Sequence, residues 1–179
     1  MNNDFVYQTI DIPDLENIYA ELVTYTLGQL PRFKEAFNHL PLQDMMQKCP
    51  LIAQWFASVN LTPRVCALII QPVGANKRGT HTDTQNNSLA LNFGIKNFEN
   101  TYTAFYKVIS GSVIQKTLPN GVTWDNYEQA ELEEIARVDL KKPTILNTKV
   151  PHAVHNPTTE LRVSISFRFV QDPYHLVNI

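Results

Sequence analysis

The chain has 179 residues, 44% of them hydrophobic and 18% charged, with 15 basic and 17 acidic residues and a formal net charge of −2. A chain of this size and composition can bury a core, which excludes an intrinsically disordered protein. No basic run exceeds the pairs Lys77-Arg78 and Lys141-Lys142, so a surface that grips nucleic-acid phosphates is not expected.

In chain order, the N-terminus lacks a basic segment followed by an apolar one, so it does not read as a signal peptide. Leu15, Ile18, Tyr19, Leu22, Val23, Thr26 and Leu27 repeat at three-four spacing, which predicts a helix ended by Gly28 and Pro31. A second helix is expected over about 41–59, with Leu42, Met45, Met46, Cys49, Ile52, Ala53 and Phe56 inward; Pro50 should kink it or split it in two. Cys49 and Cys66 read as buried small hydrophobes in a reducing, cytoplasmic setting, not as a disulfide framework. The longest apolar run, 65–70, is strand-sized and far too short to span a membrane.

From Thr62 the hydrophobic period changes from helical to two. Strands are expected over 64–71, 88–95, 102–110, 143–148, 153–156 and 161–170, with a loop over 72–79. Turn material is expected over 111–125, including Pro119-Asn120-Gly121, and a short acidic helix over 126–136. In the last long strand, Val163, Ile165, Phe167 and Phe169 share one face while Arg162, Ser164, Ser166 and Arg168 share the other. Helices followed by many short strands predict a mainly β, α+β fold over 1–179 as one domain. Residues 1–60 would be its helical part and 61–179 its β core.

His81-Thr82-Asp83 puts an imidazole and a carboxylate on one side of an extended segment. A histidine from the 150–157 stretch, which holds His152 and His155, would complete a two-histidine, one-carboxylate set. Such a set leaves coordination positions open, as non-haem Fe(II) oxygenases require. A 2-oxo acid chelates through one carboxylate and its keto oxygen, and its far carboxylate then needs a cation. Arg162 offers a planar fork that fits a carboxylate, and Ser164 on the same face adds a hydroxyl.

These motifs resemble the Fe(II)/2-oxoglutarate-dependent oxygenase superfamily, whose pattern is HxD, a long gap, then a His followed about ten residues later by an Arg, often as RxS. His81-Thr82-Asp83, His152 and Arg162-Val163-Ser164 follow it in order and spacing. More narrowly, residues 81–94 and the His152-Ala153-Val154-His155-Asn156 stretch resemble the metal-ligand regions of aspartyl/asparaginyl β-hydroxylases. The resemblance implies a double-stranded β-helix (jelly-roll, cupin-like) with N-terminal helices packed on its outer sheet. It implies Fe(II) held by His81, Asp83 and His152, and 2-oxoglutarate held by Arg162 and Ser164, with a further contact near Asn92. It favours His152 over His155 as the distal ligand. Because Asp83 is retained, a halogenase is not expected.

The expected partners are therefore 2-oxoglutarate, dioxygen and a small-molecule, amino-acid or peptide substrate, and the expected reaction is hydroxylation of a C–H bond. A non-catalytic metal- or ligand-binding jelly roll is the alternative, since fold alone does not prove turnover. A cupin-like metalloenzyme without co-substrate fits less well, because no HxH pair is present. His39 is expected at the surface or at an interface of the helical part, and His175 on the surface near the C-terminus. Arg168, near the strand end, is also expected at the surface. Tyr102 and Tyr106 are candidates for core or co-substrate contacts, and Trp124 and Tyr127 for a lid.

Overall fold

The structure is a computed structural model that describes residues 5–33, 36–73, 79–83, 87–117 and 123–178. Its elements run β1 (Tyr7–Thr9), α1 (Leu15–Gln29), β2 (Phe37–Leu40), α2 (Leu42–Lys48), α3 (Pro50–Ser58), β3 (Pro63–Gln71), β4 (His81–Asp83), β5 (Leu89–Lys96), β6 (Tyr102–Thr117), β7 (Thr123–Val138), β8 (Thr144–Asn147), β9 (His152–His155) and β10 (Arg162–Phe169). No helix among the described residues is long and apolar enough to cross a membrane.

Two antiparallel sheets face each other. The larger has the order β1-β8-β5-β10-β3-β2, and β4-β7-β6-β9 form a smaller, closed second layer. This is a double-stranded β-helix. The strand β10 lies between β3 and β5, with Ser166 opposite Ala67 on one side and Asn92 on the other. Its alternation decides both faces. Val163, Ile165, Phe167 and Phe169 join Leu89, Leu91, Phe93 and Ile95 of β5 and Cys66, Leu68 and Ile70 of β3 in one core with Ile18, Leu22, Ile52 and Phe56 of the helices. Phe56 meets both Phe167 and Phe169, at ring-centroid distances of 5.0 and 5.2 Å. The helices thus cover the outer face of the larger sheet, and the polar side chains of β10 point between the sheets.

The helical region is not helical throughout. Pro50 begins α3 and has no amide hydrogen to continue the preceding turn, and Cys49 before it leaves the helical region (φ −122°, ψ 69°), so the segment splits into α2 and α3. Two edge strands, β1 and β2, also come from this part; His39 lies exposed on β2, not on a helix. Gly28 does not end α1, which runs on to Gln29 and closes in a 3-10 turn at Leu30–Arg32 containing Pro31.

The larger departure lies at 111–136. Here β6 and β7 form one sixteen-by-sixteen-residue hairpin, so the expected acidic helix is a strand and most of the expected turn is ladder. The segment is rich in Glu and Ala, which suit a helix, but pairing along β6 overrides that preference. Register shifts occur at Phe105/Tyr106, Val108/Ser110 and Ser112/Ile114, where extra residues bend the hairpin. Just past the middle one, Gly111 has φ +98°, and a Cβ there would press on the Gln129 carbonyl oxygen. The bend brings Trp124, Asp125 and Asn126 of β7 alongside Asp83, Thr82 and His81 of β4. Trp124 and Tyr127 therefore belong to a strand clamped on β4, not to a loop. The Lys77-Arg78 pair and the Pro119-Asn120-Gly121 turn lie outside the described residues.

Candidate metal centre and acid-binding end

Register brings the separated motifs together. His81 of β4 sits directly opposite His152 of β9, and Phe105 of β6 pairs with His152 on its other side. The two imidazole rings lie 4.5 Å apart between centroids. Alternation puts Asp83 on the same face as His81. One ligand atom from each of His81, Asp83 and His152 lies within 4.8 Å of the others.

Hydrogen bonds fix which ring nitrogens are free. The Nδ1 of His152 stands 2.9 Å from the Val150 carbonyl, and that of His81 stands 3.3 Å from the Gly79 carbonyl. A carbonyl can only accept, so a neutral ring carries its proton on Nδ1 and keeps Nε2 as a lone pair. This is the outer-shell arrangement that orients metal-binding histidines. The Nε2 of His81 lies 3.8 Å from Asp83 Oδ1. Burial, reinforced by His81, pushes His152 down to about 4, against the opposing pull of Asp83, so its ring is neutral at neutral pH. Burial alone would raise Asp83, but Arg168, His152 and His81 outweigh it and hold the carboxyl below its usual range. Two imidazoles that turn Nε2 toward one point, with an ionised carboxylate beside them, form the donor set that a divalent cation needs. His152 is buried, whereas the side chains of His81 and Asp83 keep 27% and 26% of their surface. The group is therefore open on the β4 side.

Arg168 corrects the expectation of a surface residue. It is buried, its Nη2 pairs with Asp83 Oδ2, and its Nη1 donates to Thr148 Oγ1 at 2.9 Å.

At the other end of β10, Arg162 is 2% exposed, and among the described residues no carboxylate pairs with it. Its Nε donates to Thr101 Oγ1 at 2.9 Å and its Nη1 to Ser164 Oγ at 3.4 Å. Burial pushes the guanidinium down to about 10, which leaves it charged at neutral pH. A buried, charged fork whose partners among the described residues are two hydroxyls is unusual, because burying a charge without a counter-charge is costly. Gln71, opposite Arg162 on β3, is also buried, and its Oε1 has no hydrogen-bond partner among the described residues. Asn92 is buried between Ser166 and Thr144 in register, with its amide donated to the Ala90 carbonyl at 3.0 Å.

His155 lies three residues from His152 and so faces the other side of the sheet. There it stacks on Tyr102 (centroids 4.7 Å) and meets the Tyr106 hydroxyl at 3.0 Å, while Arg137 lies 4.6 Å over Tyr102. Both tyrosines thus belong to an outer cluster away from Arg162. His175 is exposed, with its Nε2 2.8 Å from the Val59 carbonyl. Sequence reasoning passed over Gln71, Thr101 and Thr148; only pairing across strands reveals them.

No protein-family model matches this chain, and no curated protein matches it either. Solved structures do. The non-heme alpha ketoglutarate dependent epimerase SnoN from nogalamycin biosynthesis superposes with a TM-score of 0.53 at 12% identity, over 92% of this chain and 77% of that one. SnoN in complex with Fe3+, alpha ketoglutarate and nogalamycin RO gives 0.54 at 13% identity, over 92% and 78%. The non-heme alpha ketoglutarate dependent carbocyclase SnoK gives 0.53 at 8% identity, over 92% and 79%. At these identities the likeness is one of fold.

Proposed function

We propose that the protein is an Fe(II)/2-oxoglutarate-dependent oxygenase whose metal is held by His81, Asp83 and His152 and whose co-substrate is held by Arg162 and Ser164. The observation that carries this reading is a pairing: an ion-sized group of two histidines and a carboxylate shares the space between the sheets with a buried arginine that pairs with no carboxylate among the described residues. Either feature alone would be weak. Together they ask for a ligand with a metal-chelating end and an anionic end.

The spacing supports such a ligand. Arg162 is tied to Thr101, which directly precedes β6, while His152 pairs with Phe105 four residues further on. Strand rise makes that separation about 13 Å. An extended dicarboxylic oxo acid can bridge much of it, with the metal at one end and the guanidinium at the other. SnoN and SnoK, which share the fold, are named as alpha ketoglutarate dependent, which agrees with this choice of co-substrate.

Fe(II) held by His81, Asp83 and His152 would supply the chemistry that oxidatively decarboxylates 2-oxoglutarate to succinate and carbon dioxide, one oxygen atom of dioxygen entering succinate and the other a C–H bond of the substrate. The chain's own residues do the rest. His81 and His152 present lone pairs fixed by the Gly79 and Val150 carbonyls, and Asp83 supplies the negative charge. Arg162 and Ser164 orient the far carboxylate of the co-substrate. Gln71 and Asn92 add polar walls beside it. The half-open side at His81 and Asp83 admits the substrate, for which a small molecule, a free amino acid or a peptide side chain all have the right C–H chemistry. The narrower likeness to aspartyl/asparaginyl β-hydroxylases rests on the sequence motifs.

The reading is tested by turnover without the primary substrate. Wild-type protein given Fe(II), ascorbate and 2-oxoglutarate in air should form succinate slowly, and a His81→Ala variant should not. Wild-type protein that forms no more succinate than His81→Ala would defeat the proposal.

A further inference from the structure

Arg168 has no part in the roles assigned so far, yet its position is tightly specified. It shares the inner face of β10 with Arg162, Ser164 and Ser166, and it is buried. One arm of its guanidinium takes Oδ2 of Asp83 and the other donates to Thr148 Oγ1 at 2.9 Å. The Thr148 hydroxyl in turn donates to the Ser88 carbonyl at 3.0 Å. The backbone of Asp83 is pinned as well, its amide donating to the Thr148 carbonyl at 3.0 Å and its carbonyl accepting from Lys149 Nζ at 2.8 Å. Oδ1 is the oxygen that faces His81 Nε2, at 3.8 Å.

We propose that Arg168 is a positioning residue that occupies Oδ2 of Asp83, so that the carboxylate meets the metal through Oδ1 alone. This rests on the reading of the site given above. A carboxylate can bind a cation through one oxygen or both. An octahedral ion held by two imidazoles and one carboxylate oxygen keeps a face of open positions. An oxo acid would need two of them, and dioxygen would need the last. A carboxylate that chelated through both oxygens would remove one, and the co-substrate and dioxygen could no longer bind together. The planar fork of arginine suits this task, because it can hold a carboxylate oxygen and the Thr148 hydroxyl at once in a fixed geometry.

Co(II) provides a spectroscopic probe that needs no turnover. Its visible bands are titrated into the wild type and into Arg168→Met, Arg168→Lys and Thr148→Val variants, and 2-oxoglutarate is then titrated into each Co(II)-loaded protein. Arg168→Met should bind Co(II) within threefold of the wild type or more tightly. Its bands should be weakened and shifted by the extra oxygen ligand, and its affinity for 2-oxoglutarate should fall at least tenfold. Arg168→Lys, which still supplies a cation to Oδ2, should recover most of that loss. Thr148→Val, which frees the other arm, should weaken 2-oxoglutarate binding about threefold with Co(II) affinity unchanged.

A merely structural arginine would instead lower the melting temperature, Co(II) affinity and 2-oxoglutarate affinity together, and that pattern overturns the proposal. Wild-type bands and 2-oxoglutarate affinity in Arg168→Met overturn it too. Should Arg168→Met not fold, the Lys and Val variants decide, and wild-type 2-oxoglutarate affinity in Thr148→Val counts against it. A wild type that binds no Co(II) in a His81-dependent way overturns the parent reading as well. A wild type that binds both Co(II) and 2-oxoglutarate, beside an unaltered Arg168→Met, defeats the role of Arg168 alone.

Discussion

Replacing Arg162 with methionine should stabilise the ligand-free protein and cripple co-substrate binding, two effects of opposite sign from one change. Methionine keeps most of the stem and removes the charge. The wild-type guanidinium is 2% exposed and is held by the Thr101 and Ser164 hydroxyls, with no carboxylate among the described residues to offset its burial. Thr101 Oγ1 also donates to the Phe98 carbonyl at 3.1 Å, so it keeps a partner after the change. Relief of an uncompensated buried charge should contribute about 1–3 kcal/mol, a rise of roughly 2–8 °C in melting temperature for a chain of this size. The bound state loses two charge-assisted hydrogen bonds, about 3–5 kcal/mol, which weakens 2-oxoglutarate binding by about a hundredfold to a few thousandfold. Thermal melting of the metal-free protein and calorimetric titration of the metal-loaded protein read the two effects separately. A lowered melting temperature with 2-oxoglutarate affinity within threefold of the wild type would refute the reasoning.

Other consequences follow from the same geometry. Gln71→Glu would set a carboxylate opposite Arg162 in place of the unpartnered amide oxygen, and it should weaken 2-oxoglutarate binding at least tenfold while metal affinity stays near the wild type; unchanged 2-oxoglutarate binding would contradict this. His152, held neutral down to about 4, binds its proton less readily in the folded than in the unfolded chain, so its contribution is full above about pH 6.5 and is lost as pH falls toward 4. Metal-free protein should lose up to about 3 kcal/mol over that window by urea denaturation, with Asp83 adding a loss of the same sign at lower pH; a flat profile that matches His152→Gln would count against it. Phe56→Ala should cost about 3–5 kcal/mol by removing the ring wedged against Phe167 and Phe169, and a cost under 1 kcal/mol would mean that the helices do not clamp the sheet. Gly111→Ala should cost about 1–3 kcal/mol, because alanine is strained at φ +98° and its methyl would press on the Gln129 carbonyl; wild-type stability there would mean that the hairpin bends elsewhere.

What could be read from the chain was whatever a buried face wrote into it. In β5 and β10, one face packs on helices and the other lines the inter-sheet space, so alternation was clean and the fold class, the helix-covered face and the inward direction of Arg162 and Ser164 were all legible. The hairpin was not. Most of β6 after Tyr106 is exposed, and β7 is a mixture of exposed and half-buried residues with only Asn126 and Val138 buried, so no buried face imprints a period of two, and the local preference of Glu and Ala for helix filled the silence. His81 and Asp83 were visible as a short motif, but Arg168 was hidden for a physical reason. Its partner lies 85 positions away on the other sheet, and an arginine near a strand end has the same appearance whether it meets water or a carboxylate. Gln71 was hidden likewise, since only the register of β3 against β10 sets it beside Arg162.

One ligand that binds a metal at His81, Asp83 and His152 and a guanidinium at Arg162 would leave a spectroscopic mark. The most direct measurement is the visible spectrum of the protein mixed with Fe(II) and 2-oxoglutarate under strict exclusion of oxygen. The expected result is a charge-transfer band that needs both additions, is absent in His81→Ala, and in Arg162→Met appears only at far higher 2-oxoglutarate concentration. A wild-type protein that shows no such band, or a band indifferent to Arg162, would contradict it.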